Sequence, residues 1–297
     1  MKVRILEGET RLINLRTRMP FKYGIATMTD VPYAFLKLSV EIDGQTHNGY
    51  AADNLPPKWF TKIPETPLGE EMIEMLRVIE HAREMAIGME ADSPFDLWLN
   101  LYEAQAQWGE SENLAPLLSG FGTSMVERAL IETTCRALGK PFAAAVADND
   151  LGLSMDAIQV QMGATKPHEW LPAQPLGTII ARHTVGLADP LSPADIPDDE
   201  RVSDALPQAL TDCITNYGLC HFKIKVNGQP DTDFERLKAL AKIITSLAPA
   251  DFAFTLDGNE QFKSITDFQS FWQRIKDTDE LRDFFGRLLF IEQPLHR

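Results

Sequence analysis

HFKIKV, at residues 221–226, is a short apolar stretch with two lysines, and it is typical of a β-strand. Two comparable stretches follow it, FAFTLDGNE at 252–260 and LLFIEQP at 288–294. Each of these later stretches begins with apolar residues, and a carboxylate side chain follows the apolar run, Asp257 in the first and Glu292 in the second. The three together predict strands that carry charged groups at or near their carboxyl ends.

The spacing of these charged residues predicts a β/α barrel. Lys225 and Asp257 are 32 residues apart, and Asp257 and Glu292 are 35 residues apart. Either interval holds one strand, one helix and two loops, which is the repeat of such a barrel. The amines and carboxylates would then lie at the carboxyl ends of successive strands, around one end of the barrel.

Alternating strand and helix patterns continue this prediction from residue 178 onward. We expect four strands, at 178–184, 221–226, 252–256 and 288–291. The segments between these strands have apolar residues at helical spacing. Strands that alternate with helices in this way predict a parallel sheet with right-handed crossovers.

The first 55 residues have instead the pattern of antiparallel strands. Apolar residues alternate with others from Ala34 to Ile42, a period of two. Asp43-Gly44 then supplies a hairpin turn, because glycine tolerates positive φ.

Helical spacing follows at about 70–88, 95–107 and 125–138. Ser124 and Glu127 form a predicted capping box at the start of the third helix, which Gly139 ends. We place the domain boundary near residue 145. The predicted fold is an α+β domain at 1–145, followed at 146–297 by a partial TIM-type barrel of about four βα units.

Composition restricts the class of protein. The net charge of −15 repels phosphate backbones and disfavours nucleic acid as a partner, although a metal or a lysine pair can attract a small acidic substrate locally. Three scattered cysteines fit a reducing cytoplasm better than a disulfide framework. We find no signal peptide, and no apolar run long enough to cross a membrane.

The lysine pair and the carboxylates each suggest a chemistry. Lys223 and Lys225 share one face of a strand, so each disfavours the charge of the other, and a lysine near neutrality can act as a general base. Asp257 and Glu292 supply oxygens of the kind that Mg²⁺ prefers. Asn259 could orient a ligand or touch a substrate.

Each motif taken singly also has an ordinary explanation. Lys223 and Lys225 could mark a solvated strand end, and Asp257-Gly258-Asn259 could be a simple turn, with Glu260 in solvent. Glu292-Gln293-Pro294 could be a simple strand end, because proline ends strands in many proteins. Their coincidence at one repeat spacing favours the functional interpretation.

The three motifs together resemble the enolase superfamily, particularly its muconate-lactonizing-enzyme and mandelate-racemase branches. The K-x-K on the second strand, the D-x-N on the third and the E-Q-P on the fourth match in kind and in order. RMPFKYG at 18–24 is similar to the family's mobile capping loop. The helix at 126–139, followed by Lys140-Pro141, is similar to the segment that joins cap and barrel. The resemblance covers most of the chain, apart from 140–177.

The resemblance implies an N-terminal capping domain on a (β/α)₇β barrel, with Mg²⁺, or alternatively Mn²⁺, bound to a small carboxylate substrate. Lys225 would remove the proton α to the carboxylate, giving an enediolate that the metal stabilises. Lys223 would stay charged beside it. Asp257 and Glu292 would be metal ligands. Asn259 and Glu260 would contact the substrate or support the ligands. The reaction would be a racemisation, epimerisation, cycloisomerisation or dehydration, so the class is isomerase or lyase.

The family takes a third metal ligand and an opposite acid or base from later strands, which would lie beyond Arg297. We therefore expect a truncated chain with impaired activity. A complementing C-terminal half, or pairing of copies at the exposed fourth strand, would be its partner.

Two other interpretations stay open on the sequence. Lys223 or Lys225 could be the Schiff-base nucleophile of an aldolase on a similar barrel. Alternatively, the chain could be a non-catalytic relic or binding module.

Overall fold

The structure, a computed structural model, describes three stretches of the chain, 1–23, 26–61 and 63–296. In that part of the chain, no helix combines the length and apolar character needed to span a membrane. Its contacts group into two compact units. The first unit contains residues 1–16 and 30–177, and the second contains 17–29 and 178–297. The predicted boundary near residue 145 lies inside the first unit.

An antiparallel sheet of four strands forms in the N-terminal half, in the order β3-β2-β1-β4. Its strands are β1 (Val3–Tyr23), β2 (Ala26–Ile42), β3 (Gln45–Asn54) and β4 (Glu90–Ala91). Every second side chain of β2 from Ala34 to Val40 is fully buried, as the period of two predicts. Asp43 and Gly44 have φ of 47° and 83°, which confirms the hairpin turn.

The α-helices of the first unit are α1 (Leu68–Ala86), which precedes β4, and α2 (Pro94–Ser111), α3 (Pro116–Leu138), α4 (Phe142–Ala147) and α5 (Pro167–Trp170), which follow it. The predicted capping box at Ser124 is wrong, because α3 begins at Pro116, whose fixed φ suits the first turn. The early turns of α3 pack closely on α1. A Cβ at Gly122 would lie 2.0 Å from the carbonyl oxygen of Val78.

A buried ion pair fixes the segment between β3 and α1. Lys58 Nζ donates to Glu71 Oε1 and to the carbonyl of Ile63, each at 2.6 Å, and it also donates to the carbonyl of Thr66. The Lys58 and Glu71 side chains are 4% and 5% exposed. Since both charges are desolvated, removing either one leaves the other buried without its counterion.

The second unit contains a parallel sheet in the order β5-β6-β7-β8, which confirms the partial barrel. Its elements are β5 (His183–Val185), α6 (Leu210–Tyr217), β6 (His221–Lys225), α7 (Pro230–Leu247), β7 (Ala253–Asp257), α8 (Ile265–Lys276), α9 (Asp279–Phe285) and β8 (Leu288–Glu292).

The first strand of this sheet is shorter than predicted. Residues 178–182 lie outside β5, because β6 begins only at His221 and pairs with β5 from His183 onward. Ile179, without a strand partner, is 93% exposed.

The two faces of the parallel sheet differ in character. One face packs on the helices and forms the apolar core of the unit, with Phe222, Ile224, Phe254 and Leu256. The alternating residues of the same strands point to the opposite face, and they are Lys223, Lys225, Thr255 and Asp257. The period of two therefore gathers the polar residues of β6 and β7 on one surface.

The predicted capping loop at 18–24 is strand as far as Tyr23, and Gly24 lies outside the described residues. Arg18 groups with the second unit, where its guanidinium holds both carboxylate oxygens of Asp204, at 2.6 and 2.8 Å. It also donates to the carbonyls of Leu206 and Pro207. The hydrogen bond from Arg18 lowers the pKa of Asp204 to about 2.

Substituting Lys58→Met should lower the free energy of unfolding by about 3–5 kcal/mol, because Glu71 is left buried without a counterion. Urea denaturation measures this loss. Arg11→Met is the matched control, since it removes an exposed pair with Glu9 and should change little. A similar small change in both variants would contradict the assignment of Lys58 as a structural anchor.

Substituting Arg18→Met should raise the pKa of Asp204 from about 2 toward its ordinary value of 3.8. Because the folded-state pKa is depressed, the contribution of this pair to stability is complete above 3.8 and is lost as the pH falls through about 2. Carbon-13 titration of the carboxyl groups measures the change. Arg201→Met is the control, because it removes the pair with Asp198 and should leave the pKa of Asp204 unchanged. An Asp204 that titrates near 3.8 in the unmodified chain would refute the contact.

Candidate active site at the carboxyl ends of the parallel strands

Strand register brings the three sequence motifs to one edge of the sheet. Lys225 pairs with Asp257, and Asp257 pairs with Glu292. The contact continues beyond the strands, where the N–H of Gly258 donates to the carbonyl of Glu292 at 3.0 Å. Residues far apart in the sequence are therefore neighbours at the place that their spacing predicts.

Two tight turns after β7 and β8 pack directly on each other. A Cβ at Gly258 would lie 2.6 Å from Cα of Pro294, so only glycine allows this approach. Asn259 and Glu260 have positive φ, 44° and 62°, and the N–H of Glu260 donates to the carbonyl of Gln293 at 2.7 Å. Glu260, expected to contact substrate or support the metal ligands, is buried within this pair of turns.

The ammonium of Lys223 lies between two carboxylates. Its Nζ is 2.8 Å from Asp257 Oδ2 and 3.2 Å from Glu292 Oε2. Both carboxylates thus direct one oxygen toward the same cation, although they belong to different strands. This arrangement creates a position where positive charge is favoured.

Lys225 lies deeper in the same cluster. Its side chain is 5% exposed, its Nζ donates to Asn259 Oδ1 at 2.7 Å, and it is 3.5 Å from Asp257 Oδ2. Burial lowers the pKa of Lys225, and the charge of Lys223 acts in the same direction, while Asp257 opposes them. A buried amine with a lowered pKa is suited to accepting a proton.

Asp257 is 1% exposed and keeps its charge. Burial by itself would raise its pKa, but hydrogen bonds from Lys223 and the N–H of Asn259, together with the charge of Lys225, lower it overall. Asn259 contacts both Lys225 and Asp257: its side-chain oxygen accepts from Lys225, and its side-chain N–H donates to Asp257 Oδ2 at 3.1 Å. The site therefore holds an ionised carboxylate beside two amines.

Arg182 and Thr255 also belong to this cluster, although motif analysis did not single them out. Arg182 Nη1 donates to Thr255 Oγ1 at 2.7 Å and to Glu292 Oε1 at 3.0 Å. The period of two on β7, which places Thr255 on the same face as Asp257, was the available signal. Arg182 carried no comparable signal: it lies inside the strand predicted at 178–184 but belongs to none of the three motifs, and in the structure it precedes β5.

The donor set fits a hard divalent cation. Mg²⁺ in proteins is commonly held by one or two carboxylates, with water and substrate as further ligands. Asp257 and Glu292 already enclose one positive charge, and a dication could take the place of the Lys223 ammonium between them. Across residues 1–23, 26–61 and 63–296, no group of three or more His, Cys, Asp or Glu side chains is arranged to bind a metal.

Comparison with known proteins gives matches to solved structures alone; neither protein-family models nor curated proteins match the sequence. A mandelate racemase/muconate lactonizing protein from Herpetosiphon aurantiacus superposes with a TM-score of 0.59 at 17% identity, over 98% of this chain and 61% of its own. A Bradyrhizobium enolase complexed with magnesium and mandelic acid gives 0.56 at 19%, over 99% and 62%. A dipeptide epimerase from Enterococcus faecalis, complexed with Mg and a dipeptide, gives 0.58 at 16%, over 98% and 61%.

The chain thus spans about three fifths of the length of these structures, and almost all of it takes part in the superposition. At 19% identity or less, the likeness concerns the fold. The predicted fold is confirmed: this chain has an antiparallel-sheet domain followed by a parallel sheet of four strands with helices, and this architecture superposes on the solved structures named above.

Proposed function

We propose that this chain carries the metal-binding and proton-abstracting half of an enolase-superfamily active site, acting at the carbon α to a carboxylate. One observation carries the proposal. Asp257 and Glu292 approach a single cation position from adjacent strands, and the buried amine of Lys225 lies beside it.

Asp257 and Glu292 would hold Mg²⁺, with Mn²⁺ as an alternative. When bound, such an ion neutralises the negative charge that develops on a substrate carboxylate as its α-proton leaves. Solved structures with this fold are described with bound magnesium, which supports the assignment.

Lys225 would take the α-proton. Its burial disfavours the charged form, and its hydrogen bond to Asn259 fixes the direction of the amine. Lys223, more exposed and paired with two carboxylates, would keep its charge and bind the substrate carboxylate. The two lysines thus divide the roles of base and anion-binding cation.

The substrate class would be a small carboxylate, and the reaction an isomerisation or a lyase reaction. Solved structures of this fold include epimerases for dipeptides, an N-succinyl Arg/Lys racemase and a muconate lactonizing enzyme. We further propose that turnover by the chain is slow without a complementing segment, because the sheet described here presents one buried amine as base.

Isothermal calorimetry with Mg²⁺ alone tests the metal site. We expect binding that Asp257→Asn and Glu292→Gln each weaken at least tenfold, since each removes one anionic ligand. Asp251→Asn is the matched control, because Asp251 is exposed near the start of β7, away from the cluster. Equal affinity in all four proteins would contradict the proposal.

Deuterium exchange at the α-carbon tests the chemistry. Mandelate, dipeptides and N-succinyl amino acids are incubated in D₂O with the chain and Mg²⁺, and exchange is followed by NMR over hours. We expect slow exchange that requires Mg²⁺ and falls about 10²–10⁴-fold in Lys225→Met, the usual contribution of a general base.

Three outcomes of the exchange experiment would contradict the proposal. Metal-independent exchange would contradict the role of Mg²⁺, and exchange unchanged in Lys225→Met would contradict the role of Lys225 as base. Mg²⁺ binding with no exchange in any substrate would favour a non-catalytic binding module. In a separate experiment, borohydride trapping of a carbonyl substrate on Lys223 or Lys225 would favour the Schiff-base alternative.

A further inference from the structure

We propose that Arg182 is a positioning residue that orients the carboxylate of Glu292 for metal binding. This inference rests on the proposed function, because it concerns the same pair of carboxylates. It adds to that site a cationic side chain from the segment just before β5. The argument begins with the two oxygens of Glu292.

The oxygens of Glu292 have different partners. Oε1 accepts from Arg182 Nη1 at 3.0 Å, and Oε2 is 3.2 Å from Lys223 Nζ. The same Lys223 ammonium is 2.8 Å from Asp257 Oδ2. Arg182 thereby occupies the oxygen on the far side, and Oε2 is the one directed at the cation position shared with Asp257.

Arg182 is itself held in place from three directions. Its Nη1 donates to Thr255 Oγ1 at 2.7 Å, and Thr255 is fully buried on β7. Its guanidinium carbon lies 5.5 Å from the centre of the Phe290 ring, a cation–π distance. Glu292 is the third contact. One guanidinium thus ties the carboxylate to the neighbouring strand and to an aromatic ring of its own strand.

The separate use of the two oxygens shows why this contact can persist when a dication binds. Arg182 contacts Oε1 of Glu292, whereas the Lys223 ammonium lies between Oε2 of Glu292 and Oδ2 of Asp257. A dication in the position of the Lys223 ammonium would need Oε2 of Glu292 and Oδ2 of Asp257. Oε1 would stay with Arg182, so the guanidinium acts on the ligand and not on the ion.

Such supporting contacts have a measurable effect. Hydrogen bonds that fix the orientation of a metal-binding side chain typically change metal affinity by 10–100-fold when they are removed. The opposite result follows if Arg182 merely competes with the ion for Glu292. Removing the guanidinium would then release the carboxylate and tighten metal binding.

Calorimetry with Mg²⁺ on Arg182→Met, Arg182→Lys and Thr255→Val distinguishes these cases. We expect about 10–100-fold weaker binding for Arg182→Met. Arg182→Lys, which keeps the charge but cannot repeat the fixed geometry of the guanidinium, should recover only part of the affinity. Thr255→Val, which removes one anchor, should weaken binding by a smaller factor.

Arg274→Met is the matched control, because Arg274 also pairs with a carboxylate, Asp231, and lies 4.0 Å from the centre of the Phe234 ring. It should leave Mg²⁺ affinity unchanged. A second readout needs no metal. The carboxyl carbon-13 signal of Glu292, assigned by its absence in Glu292→Gln, should shift in Arg182→Met and stay in place in Arg274→Met.

Unchanged or tighter Mg²⁺ binding in Arg182→Met would overturn the inference, as would an unshifted Glu292 signal. Its failure is separable from failure of the proposed function. If Asp257→Asn weakens binding and Arg182→Met does not, only the role of Arg182 is wrong. If neither Asp257→Asn nor Glu292→Gln affects binding, the metal site itself is wrong.

Discussion

The contact of one ammonium with two carboxylates is the interaction on which the site depends. Lys223 is held by Asp257 at 2.8 Å and by Glu292 at 3.2 Å, and these three residues come from three adjacent strands. Like charges on Asp257 and Glu292 would repel each other without a cation between them. The sheet can therefore gather this many charges at one edge only because their signs alternate in space.

The backbone makes this gathering possible. The turn after β7 and the turn after β8 pack on each other through Gly258 and Pro294, and hydrogen bonds join them beyond the last strand residues. The apolar face of the same strands is buried against helices and fixes the register. The positions of the charges are thus set by packing on the opposite side of the sheet.

Periodicity and spacing predicted β6, β7 and β8 to within one residue at each end, and the pairing of Lys225, Asp257 and Glu292 followed from these positions. Where prediction was wrong, a tertiary contact decided the outcome. α3 begins at Pro116 because its early turns pack on α1 at Gly122, and β5 is short because β6 offers no earlier partner. Arg182 could not be found in this way, because it belongs to none of the repeating motifs and its role depends on side-chain contacts with Thr255 and Glu292 that spacing does not predict.

The roles of the individual residues depend on one claim, that Asp257 and Glu292 share a divalent cation. A crystal structure of the chain grown with Mn²⁺, with anomalous scattering data, tests this claim most directly. We predict an anomalous peak about 2.0–2.3 Å from an oxygen of each carboxylate, with the Lys223 ammonium displaced from its present position. A peak elsewhere in the chain, or carboxylates too far apart to reach one ion, would contradict it.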